Sequence, residues 1–212
     1  MEAVAHQFQD FRQQHEASRL GMWTFLVTEV MFFGGLIAGY TVYRIAYPAA
    51  FAQASNRLDV ALGAVNTVLL LASSFTMALA VRSARRGGRW ALAGALGSTL
   101  LLGAAFLAIK GFEYAHKAHE QLVPGPNFRF EGPEAKPAEL FFSFYFLMTG
   151  MHAVHMVVGI GVLAVLAALA ARGAFTPDRH APVELAGLYW HFVDVVWIFL
   201  LPILYLVGRH AP

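Results

Sequence analysis

The chain has 212 residues, of which 58% are hydrophobic and only 13% charged, about half the charged share of a soluble domain, so the composition is that of a membrane protein. The formal net charge of +2 is small and the basic residues lie between apolar stretches rather than in one patch, which argues against nucleic acid as a partner. Cysteine is absent, which excludes disulfides, thiolate nucleophiles and cysteine-ligated metals or clusters.

Taken in order, residues 1–18 form a polar arm, read as a short surface helix or frayed segment. The arm has no apolar centre of a cleavable signal, so the first span is expected to act as an uncleaved insertion signal. That span, about 20–43, lies between Arg19 and Arg44 and is interrupted only by Glu29; Gly35 and Gly39, four apart on it, offer a small-residue face to another helix. After a polar linker with Pro48 comes a second span, about 60–81, with no formal charge but with Asn66-Thr67 inside it. An amide in lipid needs a partner on another helix. Arg82, Arg85, Arg86 and Arg89 crowd the next connection.

The third span, about 90–112, is rich in Gly and Ala and runs into Lys110 and Glu113, read as interfacial. Residues 117–138 make the long loop, with Pro124, Pro126, Pro133 and Pro137. The fourth span, about 139–171, carries His152 and His155 and is longer than a bilayer needs, so it should tilt or protrude. Arg172, Pro177 and Pro182 mark the following loop. The fifth span, about 185–208, holds a single formal charge, Asp194, between Glu184 and Arg209. At about 1.5 Å per residue a helix of this length crosses the roughly 30 Å hydrocarbon core. His191 and Asp194 are three apart on one helical face, with Trp197 a turn further on.

The expected architecture is therefore all-α and polytopic, one domain over residues 19–212 with five transmembrane helices. Basic residues in short loops stay in the cytoplasm. The four-arginine connection, supported by Arg12, Arg19, Arg172 and Arg179, thus places the N-terminus in the cytoplasm and the C-terminus in the periplasm.

Ionisable groups inside spans are functional candidates by default: here Glu29, His152, His155, His191 and Asp194. Each also has a structural reading. The histidines could bond to neighbouring helices, and His191 with Asp194 could be an internal pair that locks the fifth helix in rotation. Glu29 has no basic residue within a turn on its own helix, so it either carries its proton or takes a donor from another helix. His152-x-x-His155 with His191 and Asp194 could in principle hold a first-row metal. A membrane metal enzyme built on these histidines is accordingly the rival reading, although one His-x-x-His is weak evidence. Glu113-x-x-His116 has the spacing of a di-iron ligand pair, but a bundle site needs two such pairs. A haem-copper centre needs more deep histidines than this chain offers. Neither a nucleophile elbow nor a phosphate loop is present, and no inverted repeat or pair of broken helices points to a transporter.

The stretch Tyr189-Trp190-His191-Phe192-Val193-Asp194-Val195-Val196-Trp197 resembles the last transmembrane helix of subunit III of the cytochrome c oxidases, which are haem-copper oxidases. Four further segments resemble that family in its own order. They are Gly21-Met22-Trp23-Thr24-Phe25 with Glu29-Val30-Met31-Phe32-Phe33, then Asn66-Thr67-Val68-Leu69-Leu70, Glu113-Tyr114, and Thr149-Gly150 with His152 and His155. The resemblance implies an accessory subunit with neither haem nor copper of its own, those being in partner subunits. It would pack against subunit I of a complex that also contains subunit II, in a bacterial plasma membrane. There it would keep proton uptake fast and protect the catalytic subunit from inactivation, partly through bound phospholipid. Glu29 matches the family's buried glutamate near that lipid, and Arg172, at the cytoplasmic surface, is placed to meet a lipid phosphate. The resemblance departs at one point: seven-helix members have two further N-terminal helices that help enclose the lipid, whereas this chain resembles the five-helix bacterial form. That short form also occurs in quinol oxidases and in a relative associated with nitric oxide reductase, so the electron donor stays open.

Overall fold

The computed structural model describes residues 11–177 and 179–209. Six α-helices follow one another: α1 (Phe11–Ala46), α2 (Pro48–Ser55), α3 (Val60–Arg85), α4 (Arg89–His119), α5 (Ala135–Ala171) and α6 (Ala181–Tyr205), with a 3-10 turn at Val207–Arg209. All except the short α2 are long and apolar enough to cross a membrane, which makes five spans, and the described residues contain no strand. Residues 11–18 of the polar arm continue the first span as one helix; residues 1–10 lie outside the described part. The 37 residues of α5 measure about 55 Å at 1.5 Å per residue, so this helix reaches well past the hydrocarbon.

Local chemistry ends these helices where the sequence provides stops. Tyr47, preceding Pro48, is held out of the α region, and α2 starts on that proline. The Asp59 carboxyl caps α3 by accepting from the backbone N–H groups of Ala61 (2.8 Å) and Leu62 (3.1 Å). At the arginine-rich turn Gly87 adopts φ +73°; its N–H donates to the Ala84 carbonyl and that of Gly88 to the Ser83 carbonyl. This is the left-handed helix stop that glycine adopts without strain. α5 ends the same way at Gly173.

The helices pack through seven-residue seams. On α3 the inward residues are Gly63, Asn66, Leu70, Ser73, Met77, Ala80 and Ala84, alternating steps of three and four. α4 does likewise from Leu92 through Thr99 and Phe106 to Lys110, Glu113 and Lys117. This 3.5-residue repeat is the pattern of antiparallel helix bundles. α3, α4, α5 and α6 form the bundle, α2 sits across one end against α5, and α1 lies outside against α5 and α6. Among the described residues of α1 only Leu26, Phe33 and Tyr40 are buried, again seven apart. A Cβ on Gly35 would therefore meet nothing within 4 Å, and one on Gly39 would touch the Phe144 ring at an ordinary 3.5 Å, so the small-residue face expected of this pair is not required for close approach. Tyr40 and Ser55 donate their hydroxyls to the Ile203 and Leu204 carbonyls (both 2.7 Å), satisfying acceptors that the end of α6 leaves unpaired.

The centre of the bundle is the Trp190 indole, whose N–H donates to the Ser73 hydroxyl at 3.1 Å. A Cβ on Gly103 would lie 2.8 Å from this ring and one on Gly159 3.0 Å from it, so two missing side chains make the slot. Gly103→Ala should therefore cost about 1–3 kcal/mol through overpacking. Gly97→Ala, whose Cβ meets nothing within 4 Å, should be neutral or slightly stabilising because alanine favours the helix. Denaturant titration of the purified protein in detergent distinguishes the two.

Candidate functional site: polar groups inside the spans

Lys110 and Glu113, one turn apart on α4, occupy consecutive seam positions and are 3% and 1% exposed. They are thus inside the bundle, not at the interface as their place near the end of the third span suggested. The Lys110 ammonium donates to Glu113 Oε2 (3.0 Å), Tyr145 Oη (3.1 Å) and Tyr205 Oη (2.9 Å), while both tyrosine hydroxyls donate to Glu113 Oε1 at 2.9 and 2.6 Å. All three ammonium donors and both carboxylate oxygens are thereby satisfied. The rings of Tyr114, Tyr145, Trp197 and Tyr205 stand 5.0–5.6 Å from Lys110 Nζ, adding cation–π attraction. Tyr114 itself hydrogen-bonds Thr149. One turn on, Lys117 Nζ donates to the Arg57 carbonyl (2.7 Å) and Glu120 Oε2 (2.5 Å). Sequence reading missed Lys110, Tyr145 and Tyr205; the signal for Lys110 was the seam of α4, which continues through it without a break.

Glu29 receives its partner from another helix. His155 Nε2 on α5 lies 3.1 Å from Glu29 Oε2, and His155 Nδ1 lies 2.8 Å from the Met151 carbonyl. Because that carbonyl requires a proton on Nδ1, a single proton is left between Nε2 and the carboxyl oxygen. It can sit on either, as imidazolium with carboxylate or imidazole with carboxylic acid, without changing the net charge of the pair. Tyr189 stacks its ring on the imidazole and donates its hydroxyl to the His155 carbonyl at 2.9 Å. The two side chains remain 18% and 14% exposed.

His152 precedes His155 by three residues, a rotation of about 60° around the helix, and that rotation separates their environments. His152 is buried edge-on against Phe106 and tilted against Trp197, with ring centroids 5.5 and 5.3 Å away. Neither of its ring nitrogens has a hydrogen-bond partner among the described residues. His191 Nδ1 is bonded to Ser74 Oγ of α3 at 2.7 Å instead of to Asp194. Asp194 is 3% exposed, and its carboxyl oxygens, like both amide atoms of the fully buried Asn66, lack a partner among the described residues. Trp197 donates its indole N–H to the Thr67 hydroxyl at 3.1 Å. Arg172, the C-cap of α5, is exposed. The three histidines thus face three separate neighbourhoods, and among the described residues no three His, Asp or Glu side chains gather as metal ligands would.

A five-span helical protein whose buried charges are cross-linked between helices, and whose deep histidines diverge, belongs to the class of polytopic membrane subunits. The chain belongs to the cytochrome c oxidase subunit III family, whose model matches residues 5–209. It is 35% identical to quinol oxidase subunit 3 of Bacillus subtilis over 92% of this chain and 91% of that one. It is likewise 35% identical to cytochrome c oxidase subunit 3 of a Synechocystis species, over 88% of this chain and 74% of the relative. Cytochrome bo(3) ubiquinol oxidase subunit 3 of Pseudomonas aeruginosa is 30% identical over 89% and 84% of the two chains.

Removing one partner of a buried ion pair strands the other charge. Lys110→Met should destabilise the bundle by about 3–5 kcal/mol, and the double variant Lys110→Met/Glu113→Leu should recover much of the loss. Unfolding of the purified variants in mixed detergent micelles measures both.

Proposed function

We propose that the chain is the accessory subunit III of a bacterial respiratory cytochrome c oxidase and supports proton uptake by, and stability of, catalytic subunit I. It works in association with other oxidase subunits, subunit II among them, in the bacterial plasma membrane. Haem and copper belong to the partner subunits, not to this chain.

The observation that carries this reading is the Glu29–His155 pair. It joins α1 to α5 inside the spans, shares one proton, and keeps a partly exposed side that the described residues leave uncovered. Polar atoms facing hydrocarbon are costly, so this side suits a partner subunit or a lipid headgroup. A proton shared without change in net charge is a suitable element beside a proton-consuming enzyme. The exposed apolar flank of α1, with Trp23, Val27, Val30 and Met31, supports a bound phospholipid. The basic end of the bundle collects Arg19 of α1, Arg85 of α3, Arg89 of α4 and Arg172 of α5. That gathering supports a cytoplasmic N-terminus and headgroup contacts by Arg172. The alternative donor, quinol, is supported by the Bacillus subtilis relative, which the chain matches over 91% of its length.

Purified in mild detergent from its native membrane, the chain should bring with it a haem-bearing polypeptide; a fully active protein without one overturns the proposal. Within that complex Glu29→Gln should leave assembly and haem content intact and shorten the active lifetime during turnover. Unchanged inactivation kinetics would remove Glu29 from the mechanism.

A further inference from the structure

A second protonatable assembly lies along the seam of α3 and α6. A cleft of about 370 Å³ opens there at the arginine end, lined by Arg19, Val81, Arg85, Glu184, Gly187 and His191. Gly187 keeps the cleft's wall thin, since a Cβ there would lie 2.9 Å from Val81 Cγ2. His191 is half-buried at the cleft, and its Nδ1 is bonded to Ser74 Oγ at 2.7 Å. Ser74 also faces the Asp194 carboxyl, one turn further along α6 and only 3% exposed. Neither Asp194 oxygen has a hydrogen bond of good geometry among the described residues. One hydroxyl thus stands between an imidazole and a buried acid, and its oxygen is 2.7 Å from His191 Nδ1.

We propose that His191, Ser74 and Asp194 form a proton relay that makes Asp194 a reversible proton-binding site, loaded from the cleft at the arginine end of the bundle. The step balances. A proton from water in the cleft binds His191 Nε2, the Nδ1 proton passes to Ser74 Oγ, and the proton originally on Ser74 passes to the Asp194 carboxylate. One proton has been taken up, Asp194 has become a carboxylic acid, and Ser74 now donates to His191 Nδ1; the reverse sequence releases the proton. The charged groups around the relay are Arg19 from α1, Arg85 from α3, and Glu184 on α6, itself bonded to Arg85 (2.6 Å) and facing His180 (3.0 Å). Beyond the Trp197 ring stand His152 of α5 and Lys110 of α4. Among the described residues none of these cations pairs with Asp194. The inference does not depend on the oxidase role.

Infrared difference spectroscopy of the full-length chain, purified with whatever subunits accompany it, tests the relay by following a carboxylic acid C=O band after a pH jump. The band should appear and disappear with bulk pH and be lost in Asp194→Asn. Ser74→Ala should slow its appearance by about a hundredfold, the scale on which a positioned proton donor acts, and Ser74→Thr should restore it. A band that does not respond to pH, that persists in Asp194→Asn, or that appears as fast in Ser74→Ala as in the unmodified protein overturns the proposal. Near-native unfolding of the Ser74→Thr variant shows that the alanine effect is not a packing defect.

Discussion

The pairing of Lys110 with Glu113 inside a hydrocarbon-bound bundle sets the terms for the rest of the structure. Both side chains are almost wholly buried, and an uncompensated ion in such surroundings costs several kcal/mol. The cost is offset only because Tyr145 on α5 and Tyr205 at the end of α6 each bond to both members of the pair. Three helices must therefore stand at one relative height and rotation. A shift of α6 by a single residue would carry Tyr205 away from the pair and expose the ammonium to hydrocarbon. Apolar packing alone tolerates such a shift more readily, because one aliphatic side chain can replace another in a seam.

Polar groups elsewhere in the bundle follow the same rule in two different ways. The Lys110 network, and the Trp190 and Trp197 indoles on Ser73 and Thr67, are closed: every donor finds an acceptor within the chain. Closed networks hold helices in register and have no spare valence. Glu29 with His155 is different, having one proton for two heavy-atom sites and an uncovered side. Asp194 and His152 go further and have no partner among the described residues. Incomplete satisfaction is costly in a core, and these four residues stand on three helices, α1, α5 and α6.

Membership in the cytochrome c oxidase subunit III family is consistent with that division of labour. Relatives named for cytochrome c and for quinol oxidases lie at the same identity from this chain. The fold is thus shared by subunits named for either electron donor. The glycines that admit Trp190 between α4 and α5 serve the same end, since they bring helix backbones close without polar groups.

The five spans, their polar stops and the candidates Glu29, Asn66, His152, His155, His191 and Asp194 were legible from sequence, because hydrocarbon enforces length and apolarity residue by residue and makes each exception conspicuous. What tertiary structure alone decided was partnership. His152 and His155 read as candidate ligands of one metal and diverged, since a 60° rotation suffices to point one at two aromatic rings and the other at Glu29. Lys110 read as an interfacial lysine because a charge near the end of a span ordinarily is one; its burial depends on tyrosines 35 and 95 residues away. Periodicity reports which face of a helix is inward, but the identity of the helix across the gap, and the height at which it stands, is set by packing that no single segment contains.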